Sequence, residues 1–125
     1  MVDRSVRCGD GAFQMTGMEL STIVRNGYAP IVFVLDNGGY GTERVLHPGS
    51  WEYNEIHSWD YSKIPQVLRG GTGYEVHTEG DLADVLEKAW NDCDGLSLVH
   101  VHLSRNDMSR TLKRLGERMR PTVGG

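Results

Sequence analysis

The sequence is short of cysteine, of basic charge and of long apolar runs, and each shortage excludes a class of protein. Its two cysteines, Cys8 and Cys93, stand far apart with no paired spacing. That pattern offers neither a disulfide framework nor a cysteine zinc site, so both thiols are expected to pack as small hydrophobes in a reducing cytoplasm. Lys and Arg number 13 against 17 Asp and Glu, and no basic stripe is present, which argues against a nucleic-acid partner. No charged-then-apolar leader opens the chain, and no apolar run approaches the roughly 20 residues that span a bilayer, so a soluble cytoplasmic protein without a membrane partner is expected. The 125 residues suffice for one domain with its own core.

Strand-length apolar runs alternate with segments of helical period, the pattern of a mostly parallel sheet with helices on both faces. Ser5 to Cys8 reads as a strand whose Arg4 and Arg7 predict a frayed edge. Residues 14 to 26 place Leu20, Ile23 and Val24 on one helical face, with Asn26-Gly27 as the stop. Ile31 to Leu35 is apolar without alternation, as a strand buried on both faces should be. From Gly38 to about Ser62 the periodicity fails, predicting a short helix near Glu43 and then an ordered loop. Ser62 to Arg69 reads as helix and Tyr74 to His77 as strand. Thr78 and Asp81 form a capping-box-like start for a helix with Leu82, Val85, Leu86, Ala89 and Cys93 on one face. Leu96 to Leu103 reads as a further strand, and Leu112, Leu115 and Met119 mark a last amphipathic helix with a solvated basic face. The expected domain is 1–119, with 120–125 a disordered tail.

Two of these strands end in words that carry chemistry. Gly9-Asp10-Gly11 follows the first, and Asp36-Asn37-Gly38-Gly39-Tyr40 follows Ile31 to Leu35. A carboxylate, an amide oxygen and glycine-freed backbone at the carboxyl ends of parallel strands are what a divalent ion holding a diphosphate requires. A lone Gly-Asp-Gly is most often a turn; two such words, each after a strand, are a more specific signal.

Gly9-Asp10-Gly11, then 25 residues, then Asn37 and Gly39 resemble the thiamine-diphosphate-binding motif of the thiamine-dependent enzymes. Gly11 to Thr16, Gly39-Tyr40-Gly41-Thr42-Glu43 and Ile56 to Tyr61 resemble, within that superfamily, the pyruvate and indolepyruvate decarboxylase family. The resemblance runs from about Val6 to Met119 and matches only the later part of a full-length subunit. It implies an α/β, three-layer thiamine-diphosphate-binding fold, N-terminally truncated, with thiamine diphosphate and Mg2+ as cofactors. Magnesium takes six oxygens and few carboxylates. Asp10, the Asn37 side-chain carbonyl and the Gly39 backbone carbonyl would be its protein ligands, while Gly9, Asp10, Gly11, Ala12, Asn37, Gly39, Tyr40 and Gly41 would hold the cofactor, with the helix start facing the phosphates. Glu43 matches a family glutamate that assists decarboxylation and protonation of the carbanion; the plainer reading is an exposed helical glutamate paired with Arg44 or a nearby lysine.

The implied substrate is a small 2-oxo acid, and the implied partner is a pyrimidine-binding domain missing from this chain, on the same or a neighbouring subunit of a homo-oligomer. The chain alone is therefore expected to be inactive. The alternatives are a cofactor module of a carboligating enzyme resembling acetolactate synthase, against which Tyr40 and Glu43 argue, and a catalytically silent oligomerising fragment. Asp36 stands where the family has an asparagine: pointing inward it would repel phosphate, and fixing the turn it would be harmless, the role favoured here. Thr42 stands where the family commonly has a bulkier aliphatic residue lining the substrate pocket, which implies room for an aryl-substituted 2-oxo acid. Tyr40, Trp51, Tyr53, Trp59 and Tyr61 either line a pocket or form the loop's own core. His47, His57, His77, His100 and His102 show no ligand spacing, and His100 and His102 are expected to share one strand face as hydrogen-bonded or edge residues.

Overall fold

The computed structural model describes residues 3–123, with side chains described as far as Met119. Strands β1 (Ser5–Gly9), β2 (Ile31–Asp36), β3 (Thr72–Val76) and β4 (Ser97–His102) form one sheet in the order β1-β2-β4-β3, and every pairing is parallel. Helices α1 (Asp10–Thr16) and α2 (Leu20–Arg25) link β1 to β2. Then come α3 (Gly41–Leu46) and α4 (Ile64–Val67) before β3, α5 (Glu79–Asn91) between β3 and β4, and α6 (Arg110–Val123).

The period-2 alternation of each strand divides the core in two. Val32, Val34 and Leu98 face one way, packed with Phe13, Leu20 and Tyr61; α1, α2 and α4 cover this side. Ile31, Phe33, Val99 and Val101 face the other way, against Val85 and Ala89 of α5. The result is the expected three-layer α/β fold, with the sheet wholly parallel among the described residues. Beyond α5 the second face continues into an apolar groove of about 540 Å³ lined by Phe33, Leu86 and Trp90 among others.

Several expectations from the sequence need correction. The first crossover is helical from Asp10, not from residue 14, and a 3-10 turn at Gly17–Glu19 divides it where Gly17 packs under the Phe13 ring. The segment from Ser62 is mostly a 3-10 turn at Tyr61–Lys63 and a single turn of α4. Arg4 does not mark fraying: its guanidinium donates to Ala29 O at 3.0 Å and Trp90 O at 2.8 Å, tying the start of β1 to the end of α5. The Thr78–Asp81 capping box is present, but α5 ends at Asn91, so Cys93 lies outside it and is exposed rather than packed. Leu115 and Met119 of α6 are exposed; the helix docks on α3 through Gly116, where a Cβ would stand 2.3 Å from a Val45 methyl. Helix α6 also runs on past residue 119 to Val123, and residues 124–125 of the expected tail lie outside the described residues.

Candidate functional site

The register of the first two strands builds the site. Gly9 pairs with Leu35, so the next residues, Asp10 and Asp36, emerge side by side at the carboxyl edge of the sheet. Asp10 opens α1 and is 1% exposed, while Asp36 ends β2 and is 7% exposed. Burial and the neighbouring Asp36 carboxyl push the Asp10 carboxyl above its ordinary range, against the N–H groups of Gly11 and Gly39. Its Oδ2 has no hydrogen-bond partner. A buried acceptor without a donor needs a reason, which either a bound cation or a proton shared with Asp36 supplies.

The Asn37 amide reaches the same point. Its terminal atom there stands 3.3 Å from Asp10 Oδ1 and 2.8 Å from Gly39 O, both acceptors, so without a cation the amide satisfies them by presenting its nitrogen, and half a turn presents Oδ1 instead. With oxygen in place, the carboxylate of Asp10, the carbonyl of Asn37 and the backbone carbonyl of Gly39 converge as a set of hard donors, which is what a magnesium-like ion takes. The residues present therefore fit a divalent cation.

The backbone that carries these oxygens is tightly specified. Gly38 and Gly39 adopt φ of 73° and 151°, and a Cβ on Gly39 would lie 2.0 Å from Asn54 O. Asp36 Oδ1 accepts from Gly38 N at 3.0 Å, the turn-fixing role expected of it. It also lies inward, beside Asp10. Its Oδ2 accepts from Ser58 Oγ and faces His100 Nε2, each at 2.8 Å. Burial pushes Asp36 up, but the contacts from His100, Ser58 and Gly38 outweigh it and hold the carboxyl below its ordinary value. The second carboxylate is thus engaged from behind rather than left facing a phosphate.

A cavity of about 340 Å³ opens over these atoms. Gly9, Asp10, Gly11, Ala12, Asn37, Gly39, Tyr40 and Gly41 all line it, together with Thr42 and Glu43 at the start of α3 and Leu103, Asp107 and Leu112 from the segment around α6. Its floor is shaped by missing side chains: a Cβ on Gly11 would lie 2.6 Å from the Tyr40 ring, and one on Gly41 2.8 Å from Asn37 Nδ2. Glu43 is exposed on the wall. Arg44 does not pair with it but with Glu55, at 2.9 Å.

Arg44 is the residue that the sequence reading missed most plainly. Its guanidinium donates to Asn37 O at 3.1 Å and Gly38 O at 2.8 Å while its Nε reaches Glu55 Oε1 at 3.2 Å, clamping the turn after β2 to the long loop. Ser58 and His100 were missed as supports of Asp36 for the same reason: their contacts span 22 and 64 residues. Of the aromatics, only Tyr40 lines the cavity. Tyr61 is fully buried against Phe13, its hydroxyl accepting from Gln14, and Trp51 stacks on His47 at 4.8 Å, so these belong to the loop and core. The histidines also depart from expectation, since His77, His100 and His102 come together although no spacing announces it.

Comparison with known proteins agrees with this geometry. The family described as thiamine pyrophosphate enzyme, C-terminal TPP binding domain, matches residues 4–101. A pyruvate decarboxylase of Aspergillus fumigatus is 37% identical over 113 residues, covering 87% of this chain and 20% of the relative. An alpha-keto-acid decarboxylase of Mycolicibacterium paratuberculosis is 39% identical over 117 residues, 91% of this chain and 20% of the relative. Pyruvate decarboxylase 1 of Pisum sativum is 35% identical over 122 residues, 93% and 20% respectively. The chain thus spans about a fifth of the length of the curated relatives it matches. With the oxygen cluster at two parallel strand ends and a match across most of its length, the chain belongs to the C-terminal TPP-binding domain family of the thiamine pyrophosphate enzymes, whose cofactors are thiamine pyrophosphate and a divalent metal ion.

Proposed function

We propose that this chain is the cofactor-holding portion of a cytoplasmic 2-oxo-acid decarboxylase that releases CO2 and an aldehyde from pyruvate, indolepyruvate or a similar acid, and that it works in a homo-oligomer with a pyrimidine-binding domain. The observation that carries the reading is the convergence of Asp10 Oδ1, the Asn37 amide and Gly39 O on one point, with Asp10 Oδ2 buried and unsatisfied. Thiamine diphosphate, when bound, supplies the electron sink for decarboxylation. Asp10, Asn37 and Gly39 would hold Mg2+, whose charge would offset that of the diphosphate. The side-chain-free floor at Gly11 and Gly41 lets the phosphates approach the backbone. Glu43, on the cavity wall and without an Arg44 partner, moves a proton at the reacting carbon, and Thr42 beside it sets the width of the substrate space. The free thiols of Cys8 and Cys93 suit a reducing compartment, and among the described residues no helix is long and apolar enough to cross a membrane.

The relatives named as decarboxylases favour this reading over a carboligating module. Calorimetry tests it against a silent fragment. Thiamine diphosphate titrated into the chain with Mg2+ should give saturable heat, and Asp10→Ala should remove it. Equal binding without Mg2+, or an unchanged Asp10→Ala titration, would contradict the assignment.

A further inference from the structure

The sheet carries a second cluster of donor atoms, of different chemistry, at the carboxyl ends of β3 and β4. Val76 pairs with Val101 in register, so the residues one step further on, His77 and His102, stand side by side on adjacent parallel strands. Their rings stack with centroids 4.1 Å apart and planes 9° from parallel. Both turn a nitrogen toward one carboxylate: His102 Nε2 lies 2.5 Å and His77 Nε2 3.9 Å from Glu75 Oε2. One donor atom from each of Glu75, His77 and His102 lies within 4.8 Å of the other two.

The carboxylate is held from behind. Glu75 Oε1 accepts from Ser62 Oγ and lies 3.3 Å from His100 Nδ1, the kind of outer support that fixes a ligating carboxylate. Burial pushes Glu75 up, yet the Ser62 and His102 contacts outweigh it, so it stands below the ordinary carboxylate range and presents an anionic oxygen. The three side chains are 43%, 62% and 37% exposed, which leaves solvent access to the point where their donors meet.

We infer that Glu75, His77 and His102 bind a zinc-class dication. Two imidazole nitrogens and one carboxylate are a three-ligand zinc set, with water completing a tetrahedron. A single proton can bridge only one of the two rings to Glu75, whereas a borderline-soft cation bonds to both. The site differs in kind from the Asp10–Asn37–Gly39 cluster: imidazole nitrogen favours zinc or cobalt over magnesium, and all-oxygen sets favour the reverse. Nothing in the diphosphate chemistry uses His77 or His102.

The test uses the 125-residue chain without any affinity tag. Zinc chloride is titrated by calorimetry, and cobalt(II) is followed by its visible absorption. One ion per chain is expected to bind, with the intense visible bands of tetrahedral cobalt. His77→Gln and His102→Gln should each weaken binding by about tenfold or more, since losing a direct ligand costs at least as much as losing an outer support. Asp10→Asn should leave zinc binding unchanged, which separates this site from the diphosphate-binding one. His77 is 62% exposed, so His77→Gln keeps the fold, and its circular dichroism should match that of the parent. No saturable binding, binding unaffected by both histidine variants, or binding lost in Asp10→Asn would overturn the inference.

Discussion

At the scale of single residues, the site depends on atoms that are absent as much as on those present. Gly39 combines a φ of 151° with a carbonyl that joins the oxygen cluster, and Asn54 O sits where its Cβ would be. Relief would require moving backbone on both sides, so Gly39→Ala should destabilise the fold by about 2 kcal/mol or more, measured by urea unfolding. A stability within a few tenths of a kcal/mol of the parent would show that the loop at Asn54 yields easily. That these residues would meet was legible because the Gly-Asp-Gly and Asn-Gly-Gly words each follow a strand, and parallel strands in register bring their ends together. All eight residues expected to hold the cofactor line one cavity, as does Glu43. Arg44, Ser58 and His100 were not legible, because a clamp is defined by its partners, and those partners are set by the fold rather than by neighbours in sequence.

At the scale of elements, legibility followed the strength of the local signal. The apolar run Ile31 to Leu35 became a strand buried on both faces, and Thr78 with Asp81 became a complete capping box. The 3-10 break at Gly17 was invisible because it answers to the packing of the Phe13 ring, a tertiary fact. The capping box gives α5 a pH dependence. N–H groups of His77 and Thr78, with the Thr78 side chain, hold the Asp81 carboxyl below its ordinary value of 3.8. A carboxyl with a depressed folded value adds stability that is present above the unfolded value and is lost as pH falls through the folded one. Urea midpoints should therefore hold down to about pH 4 as far as this group is concerned and then fall. Asp81→Asn should lower stability at pH 7 and shrink the difference from the parent as the pH drops below 4. An Asp81→Asn deficit that persists undiminished at pH 2.5 would assign the effect to something other than the charge.

At the scale of the whole molecule, the parallel sheet brings every strand's carboxyl end to one edge, and the donor clusters described above lie along it. The cavity is walled by Thr42, Glu43, Leu103 and Leu112, and its lining acids among the described residues are Asp10, Glu43 and Asp107. On the proposed reading, the chain alone should bind cofactor without turnover, and pure protein given pyruvate, Mg2+ and thiamine diphosphate should release no CO2 above the protein-free control; steady release would show that the chain contains a whole active site. The most direct measurement is a crystal structure of the chain with thiamine diphosphate and Mn2+ in place of Mg2+, with the ion located by its anomalous scattering. The account predicts one ion within about 2.0–2.3 Å of an Asp10 carboxylate oxygen, Asn37 Oδ1 and Gly39 O, with diphosphate oxygens completing the octahedron. An ion bound elsewhere, or an Asn37 amide still turning its nitrogen toward Asp10 with cofactor present, would contradict it.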